Sequence, residues 1–123
     1  MTDGKVSPHV ILIVEDDLLL RLLTIDILED AGFVVLQADN ADDAVAILDA
    51  RSDIALLITD INMPGSMDGV KLAHAVRDRW PPIKIIVVPS RAPDIDLPAG
   101  SRFFPKPYLP DTMISGIRSL MAA

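Results

Sequence analysis

The chain of 123 residues contains no cysteine. That excludes a disulfide framework, a thiolate nucleophile and cysteine-ligated zinc. Its two histidines, His9 and His74, are too few and too far apart for a histidine-rich metal centre. Positive charge is in deficit, with a formal net charge of −7. A nucleic-acid surface needs clustered lysine and arginine, so nucleic acid is not an expected partner. Long apolar runs are missing as well. The longest, at 9–14 and 54–58, fall far short of the roughly 20 residues that cross a bilayer. The segment 1–8 is polar and has no signal-peptide core. A cytoplasmic protein with no membrane partner is the default expectation. Neither a P-loop glycine-lysine motif nor Gly-x-Gly-x-x-Gly occurs, so nucleotide binding has no support.

What is present has the balance of a soluble globular domain, with 50% hydrophobic and 24% charged residues. The length suits one compact domain, and no repeat, low-complexity tract or linker divides it; residues 1–123 read as a single domain. Strand-length apolar runs recur at 10–14 (VILIV), 34–36, 54–58 (IALLI), 83–88 (IKIIVV) and 103–104. The first, third and fourth are continuous and rich in Ile, Leu and Val, as parallel strands buried on both faces require. Helical patterns lie between them, at 18–31, 41–50, 69–80 and 111–121. Asp17 can cap the first and Gly32 end it, while Asn40 or Asp39 can cap the second. Ala73, Val76 and Trp80 share a face of the third; Met113, Ile117 and Leu120 or Met121 share a face of the last.

Strands alternating with helices predict an α/β fold: a doubly wound five-stranded parallel sheet with helices on both faces. One helix of that series is in trouble. Between Val88 and Phe103 the chain reads PSRAPDIDLPAGSR, and proline inside a helix costs about 3 kcal/mol. The fourth helix is therefore expected to be shortened or missing.

Acids stand at the ends of strands. Glu15 and Asp16 follow VILIV directly, and Asp60 follows IALLIT. In a parallel sheet the C-terminal ends share one edge, and ligands bind there at the point where strand order reverses. In the flavodoxin-like order 2-1-3-4-5 that point lies between strands one and three, the two that end in these acids. Three carboxylates brought together repel one another, and a divalent cation relieves the conflict; oxygen ligands with retained waters suit Mg²⁺. A carboxylate beside such an ion can attack a phosphoryl donor. Lys106, just after the last strand in FFPKPY, reaches the same edge and would pair with the phosphoryl group. Asp17 reads better as a helix cap than as a ligand.

On these residues the chain resembles the response-regulator receiver family of two-component phosphorelay signalling. ILIVEDD is similar to the family's acidic-pair segment, which implies Asp16 as a direct Mg²⁺ ligand and Glu15 as one acting mainly through water. LLITDINMPGSMDG is similar to the phosphoacceptor segment, which implies Asp60 as acceptor and the Asn62 backbone carbonyl as a metal ligand. Pro64, Gly65 and Gly69 match that segment's turn and helix start. FFPKPY resembles the lysine-proline segment and implies Lys106 as phosphoryl contact with a cis bond to Pro107. The resemblance fails at one place. Relatives carry Thr or Ser at the end of strand four, where this chain has Val88, with Ser90 the nearest hydroxyl. Phe103 takes the aromatic switch position, so the usual coupling of hydroxyl to aromatic ring is in question.

The resemblance implies a phosphoacceptor and not an enzyme, capable at most of slow self-dephosphorylation. The expected partner is a histidine kinase or histidine phosphotransfer protein; the downstream target is not readable. The alternative is a phosphorylation-independent interaction module, which the Val88-Pro89 departure would permit. A phosphatase or dehalogenase with an aspartate nucleophile is disfavoured, because Asn62 stands where those enzymes need a second acid. The first helix is apolar on more than one face. Burial of its leucines is the expected reading, and docking of a kinase or phosphotransfer helix the other.

Overall fold

The computed structural model describes residues 9–61, 63, 67–88, 98, 100–103 and 109–122. Within them the elements run β1 (Val10–Val14), α1 (Leu18–Asp30), β2 (Val34–Ala38), α2 (Ala41–Ala50), β3 (Ile54–Asp60), α3 (Gly69–Arg79), β4 (Lys84–Val88), β5 (Arg102–Phe103) and α4 (Pro110–Ala122). All strand pairs are parallel, in the order β2-β1-β3-β4-β5. This is the doubly wound architecture expected from the alternation of strand and helix. The expectation that the helix between β4 and β5 is shortened or missing falls on residues outside those described. Among the described residues, no helix is long and apolar enough to cross a membrane.

Strand alternation sorts the core into two layers. Val10, Leu12 and Val14 of β1, Leu57 of β3 and Ile85 and Val87 of β4 pack under Ala44 and Leu48 of α2 and Leu72 and Val76 of α3. Ile11 and Ile13, Leu56 and Ile58, and Ile86 and Val88 face the other way, against Ile25 and Leu28 of α1 and Met113 and Ile117 of α4. A register shift between Val10 and Ile11 skips Ala55 of β3, so Ile54 joins the first layer and Leu56 the second.

Local chemistry sets the helix ends. Asp17 caps α1 by accepting from the Leu20 N–H at 3.0 Å, and Asn40 caps α2 through the Asp43 N–H at 2.8 Å. At the end of α1, Gly32 adopts φ 96°, a left-handed conformation open to glycine. The Gly32 and Phe33 N–H groups then donate back to the Glu29 and Leu28 carbonyls at 3.0 and 3.2 Å, closing a Schellman motif.

Two sequence expectations need correction. β3 runs two residues further than the expected 54–58, so Asp60 lies within the strand as its last residue. In α1 only Thr24, Ile25 and Leu28 are buried. Leu18, Leu19, Leu22 and Leu23 are 46–69% exposed, so burial does not account for the leucine-rich face.

Candidate functional site

β1 and β3 are neighbours, and their C-terminal ends bring Glu15, Asp16 and Asp60 together. One carboxylate oxygen from each lies within 4.8 Å of the others. Glu15 and Asp60 are buried, at 5% and 7% exposure, whereas Asp16 is exposed. Like charges at such a separation repel by roughly 1 kcal/mol in a water-like medium and about 3–4 kcal/mol at the effective dielectric of a protein.

The backbone is arranged to hold these acids. The Ile61 N–H donates to Asp60 Oδ1 at 2.7 Å, fixing one oxygen of that carboxylate. Glu15 Oε2 accepts from the Asp17 N–H at 3.1 Å, and the Glu15 N–H continues the β1–β2 ladder to the Ala38 carbonyl at 3.1 Å. By strand alternation Glu15 falls on the face of Ile11 and Ile13, and Asp60 on the face of Leu56 and Ile58. Both therefore belong to the α1/α4 layer.

The donor set fits a hard divalent cation. Octahedral Mg²⁺ has ligands at about 2.1 Å, which leaves opposite ligand atoms about 4.2 Å apart. Three carboxylate oxygens within 4.8 Å nearly match that span. Retained waters, which Mg²⁺ keeps readily, fill the remainder.

Gly69 starts α3, in line with its match to the segment's turn and helix start, and makes a contact that this reading did not include. A Cβ at this position would lie 1.7 Å from the Asp60 carbonyl oxygen and 2.9 Å from the Ile61 Cα. The first residue of α3 is thus pressed against the backbone of the candidate acceptor, and the Gly69 N–H donates to the Ile61 carbonyl at 2.8 Å. No other residue type leaves room for this approach.

Val88 pairs in register with Asp60. It is 4% exposed and packs with Ile86 and Met113, so the strand position beside the acid is apolar. Asp17 acts as a cap, as expected. Phe103 ends β5. The expectations at Asn62, Pro64, Gly65, Ser90, Lys106 and Pro107 lie outside the described residues. Sequence reasoning missed Arg21, whose guanidinium donates to the Glu15 carbonyl at 2.5 Å and to Gln37 Oε1 of β2 at 2.9 Å. Its signal was weak: a lone cation in a run of leucines, four residues past the cap.

A doubly wound parallel sheet with an acid cluster at the β1/β3 edge defines a receiver, and residues 11–115 match the response regulator receiver domain. The chain belongs to that family. Among curated proteins it is 33% identical over 118 residues to the response regulator receiver protein CpdR of Brucella abortus, covering 92% of this chain and 97% of that one. It is 34% identical over 100 residues to the hydrogenase transcriptional regulatory protein HoxA of Cupriavidus necator, covering 76% of this chain but only 20% of HoxA. Among solved structures, a CheY-like receiver domain protein from Methanospirillum hungatei superposes with a TM-score of 0.87 at 29% identity, covering 94% of this chain and 95% of that one. The response regulator TrrA of Thermotoga maritima, solved in complex with Mg²⁺-BeF, gives 0.83 at 25% identity, covering 91% and 98%.

Proposed function

We propose that residues 1–123 act as one receiver domain in the cytoplasm, accepting a phosphoryl group on Asp60 from the phosphohistidine of a histidine kinase or phosphotransfer protein. The observation that carries this reading is the convergence of Glu15, Asp16 and Asp60 within 4.8 Å at the β1/β3 edge. Mg²⁺ would be held by Glu15, Asp16, Asp60 and the Asn62 backbone carbonyl, and when bound it offsets negative charge on the transferring oxygens. The TrrA complex with Mg²⁺-BeF supports this assignment. CpdR, a response regulator receiver protein matched over 97% of its length, supports the receiver reading.

An Asp60 carboxylate oxygen forms the new P–O bond as the P–N bond to the donor imidazole breaks, the electron pair remaining on the histidine nitrogen. The Ile61 N–H holds Asp60 Oδ1 for this attack, and Gly69 lets α3 begin against the acceptor's backbone. Lys106 is assigned the contact to the phosphoryl oxygens in the product. The exposed leucines of α1 are assigned to the phosphodonor's helices, beside the acceptor edge and free of the core.

Val88 favours a second reading. With an apolar side chain in register with Asp60, no hydroxyl at this strand position can move to a phosphoryl oxygen. A phosphorylation-independent interaction module would tolerate that loss. Incubation with acetyl phosphate and Mg²⁺ separates the two. The proposal expects an intact-mass gain of one phosphoryl group in the wild type and none in Asp60→Asn. No gain in either protein, with a competent kinase also tried, favours the interaction module.

A further inference from the structure

Asp16 is an exposed residue at a bend between β1 and α1, so its direction depends on the backbone that carries it. Among the described residues, several hydrogen bonds there are internal to the β1–α1 connection. Asp17 N–H donates to the Glu15 carboxylate, Leu20 N–H to the Asp17 carboxylate, and Arg21 N–H to the Asp17 carbonyl. Two ties run outward to β2. One is the ladder bond from Glu15 N–H to the Ala38 carbonyl. The other is the Arg21 side chain, which grips the Glu15 carbonyl at 2.5 Å through Nη1 and Gln37 Oε1 at 2.9 Å through Nε.

We propose that Arg21 is a positioning residue for the cation site, fixing the Glu15–Asp16 peptide against β2 so that Asp16 points at the ion. The proposal rests on the reading that Glu15, Asp16 and Asp60 hold Mg²⁺, and names a residue that controls how well they do so. A cation beside an acid cluster can act in two ways of opposite sign. As a charge it competes with the metal, and its removal tightens binding. As a clamp it pre-organises the ligands, and its removal loosens binding. The hydrogen bonds favour the clamp. Among the described residues, both acceptors of the Arg21 side chain are neutral oxygens, a backbone carbonyl and a carboxamide. The planar fork of guanidinium can span two acceptors at once, which a lysine ammonium cannot reproduce. Groups that orient metal ligands in this manner typically change affinity by about 10- to 100-fold when removed.

The test is calorimetric titration of the full chain with Mg²⁺ alone, for wild type, Arg21→Ala, Arg21→Lys and Gln37→Ala, with Arg118→Ala as a control. Arg118 donates to the Ala31 carbonyl beyond the far end of α1. The clamp predicts that Arg21→Ala weakens Mg²⁺ binding about tenfold although it removes a positive charge. Arg21→Lys, with charge retained, weakens it by roughly the same factor. Gln37→Ala, which leaves every charge in place, weakens it by about threefold, as a partial loss of the same clamp. Arg118→Ala leaves it unchanged. Equal or tighter binding in Arg21→Ala overturns the proposal; should that variant fail to fold, Gln37→Ala decides alone, and unchanged affinity there overturns it. Failure of the underlying reading looks different. Wild type would then bind no Mg²⁺, or Asp60→Asn would bind it as tightly as wild type.

Discussion

Replacing Gly69 with alanine puts a methyl group where the Asp60 carbonyl oxygen already is. The added carbon would sit 1.7 Å from that oxygen, whereas a close carbon–oxygen contact is about 3.3 Å. The start of α3 and the end of β3 must therefore separate by about 1.6 Å, and both atoms belong to backbone that cannot rotate away. Overpacking of this kind costs about 1–3 kcal/mol. The functional loss should be larger, because a displacement of about 1 Å at a reacting group lowers rates on the order of 100-fold. Gly32 provides the internal control. It has φ +96°, but a methyl carbon added there would meet nothing within 4 Å, so Gly32→Ala strains only the backbone, by about 1–2 kcal/mol. Urea unfolding followed by circular dichroism gives the stability of each variant, and the rate of mass gain from acetyl phosphate gives its acceptor chemistry. Gly69→Ala should lose both, and Gly32→Ala only stability. Wild-type phosphorylation in Gly69→Ala, or an equal loss in both variants, would refute the claim that this glycine seats the acceptor.

Three further outcomes are expected. Asp17→Ala removes the α1 cap and should cost about 1 kcal/mol in urea unfolding, yet leave Mg²⁺ affinity near wild type; a large loss of affinity would make Asp17 a ligand. The double variant Leu22→Ser/Leu23→Ser should change stability by about 0.5 kcal/mol or less, since both side chains are exposed. It should slow transfer from a protein donor while sparing acetyl phosphate, and equal rates from the protein donor would remove α1 from the interface. The Arg51 guanidinium, hydrogen-bonded to Asp53, holds that carboxyl below its ordinary value. The pair's contribution is complete above the ordinary aspartate range and is lost as pH falls through the lowered value. Asp53→Asn should accordingly flatten the acid limb of thermal stability, while a limb identical to wild type would show that the pair contributes nothing measurable.

Much of this architecture was legible because buried parallel strands need apolar side chains on both faces. VILIV, IALLI and IKIIVV could hardly be anything else, and the acids that end the first two marked the edge at which they meet. The caps at Asp17 and Asn40 were readable for a similar reason, as each bonds within its own turn. What escaped depends on other parts of the chain. The extension of β3 to Asp60 follows from its pairing with Val88, and nothing in Thr59-Asp60 announces it. The α1 leucines misled because a helix that is apolar on more than one face does not declare which side meets the sheet. Arg21 works through Gln37 of another strand, and Gly69 through a carbonyl nine residues earlier; neither partnership leaves a local pattern.

The central claim is a covalent one, so the most direct measurement locates the bond. Wild-type protein phosphorylated with Mg²⁺ present is treated with borohydride, which reduces an acyl phosphate to an alcohol, and is then digested and sequenced by tandem mass spectrometry. The account predicts homoserine at position 60 and unmodified carboxyls at Glu15 and Asp16. Reduction at either of those residues instead, or no reduction product in a protein that has gained phosphoryl mass, would contradict it.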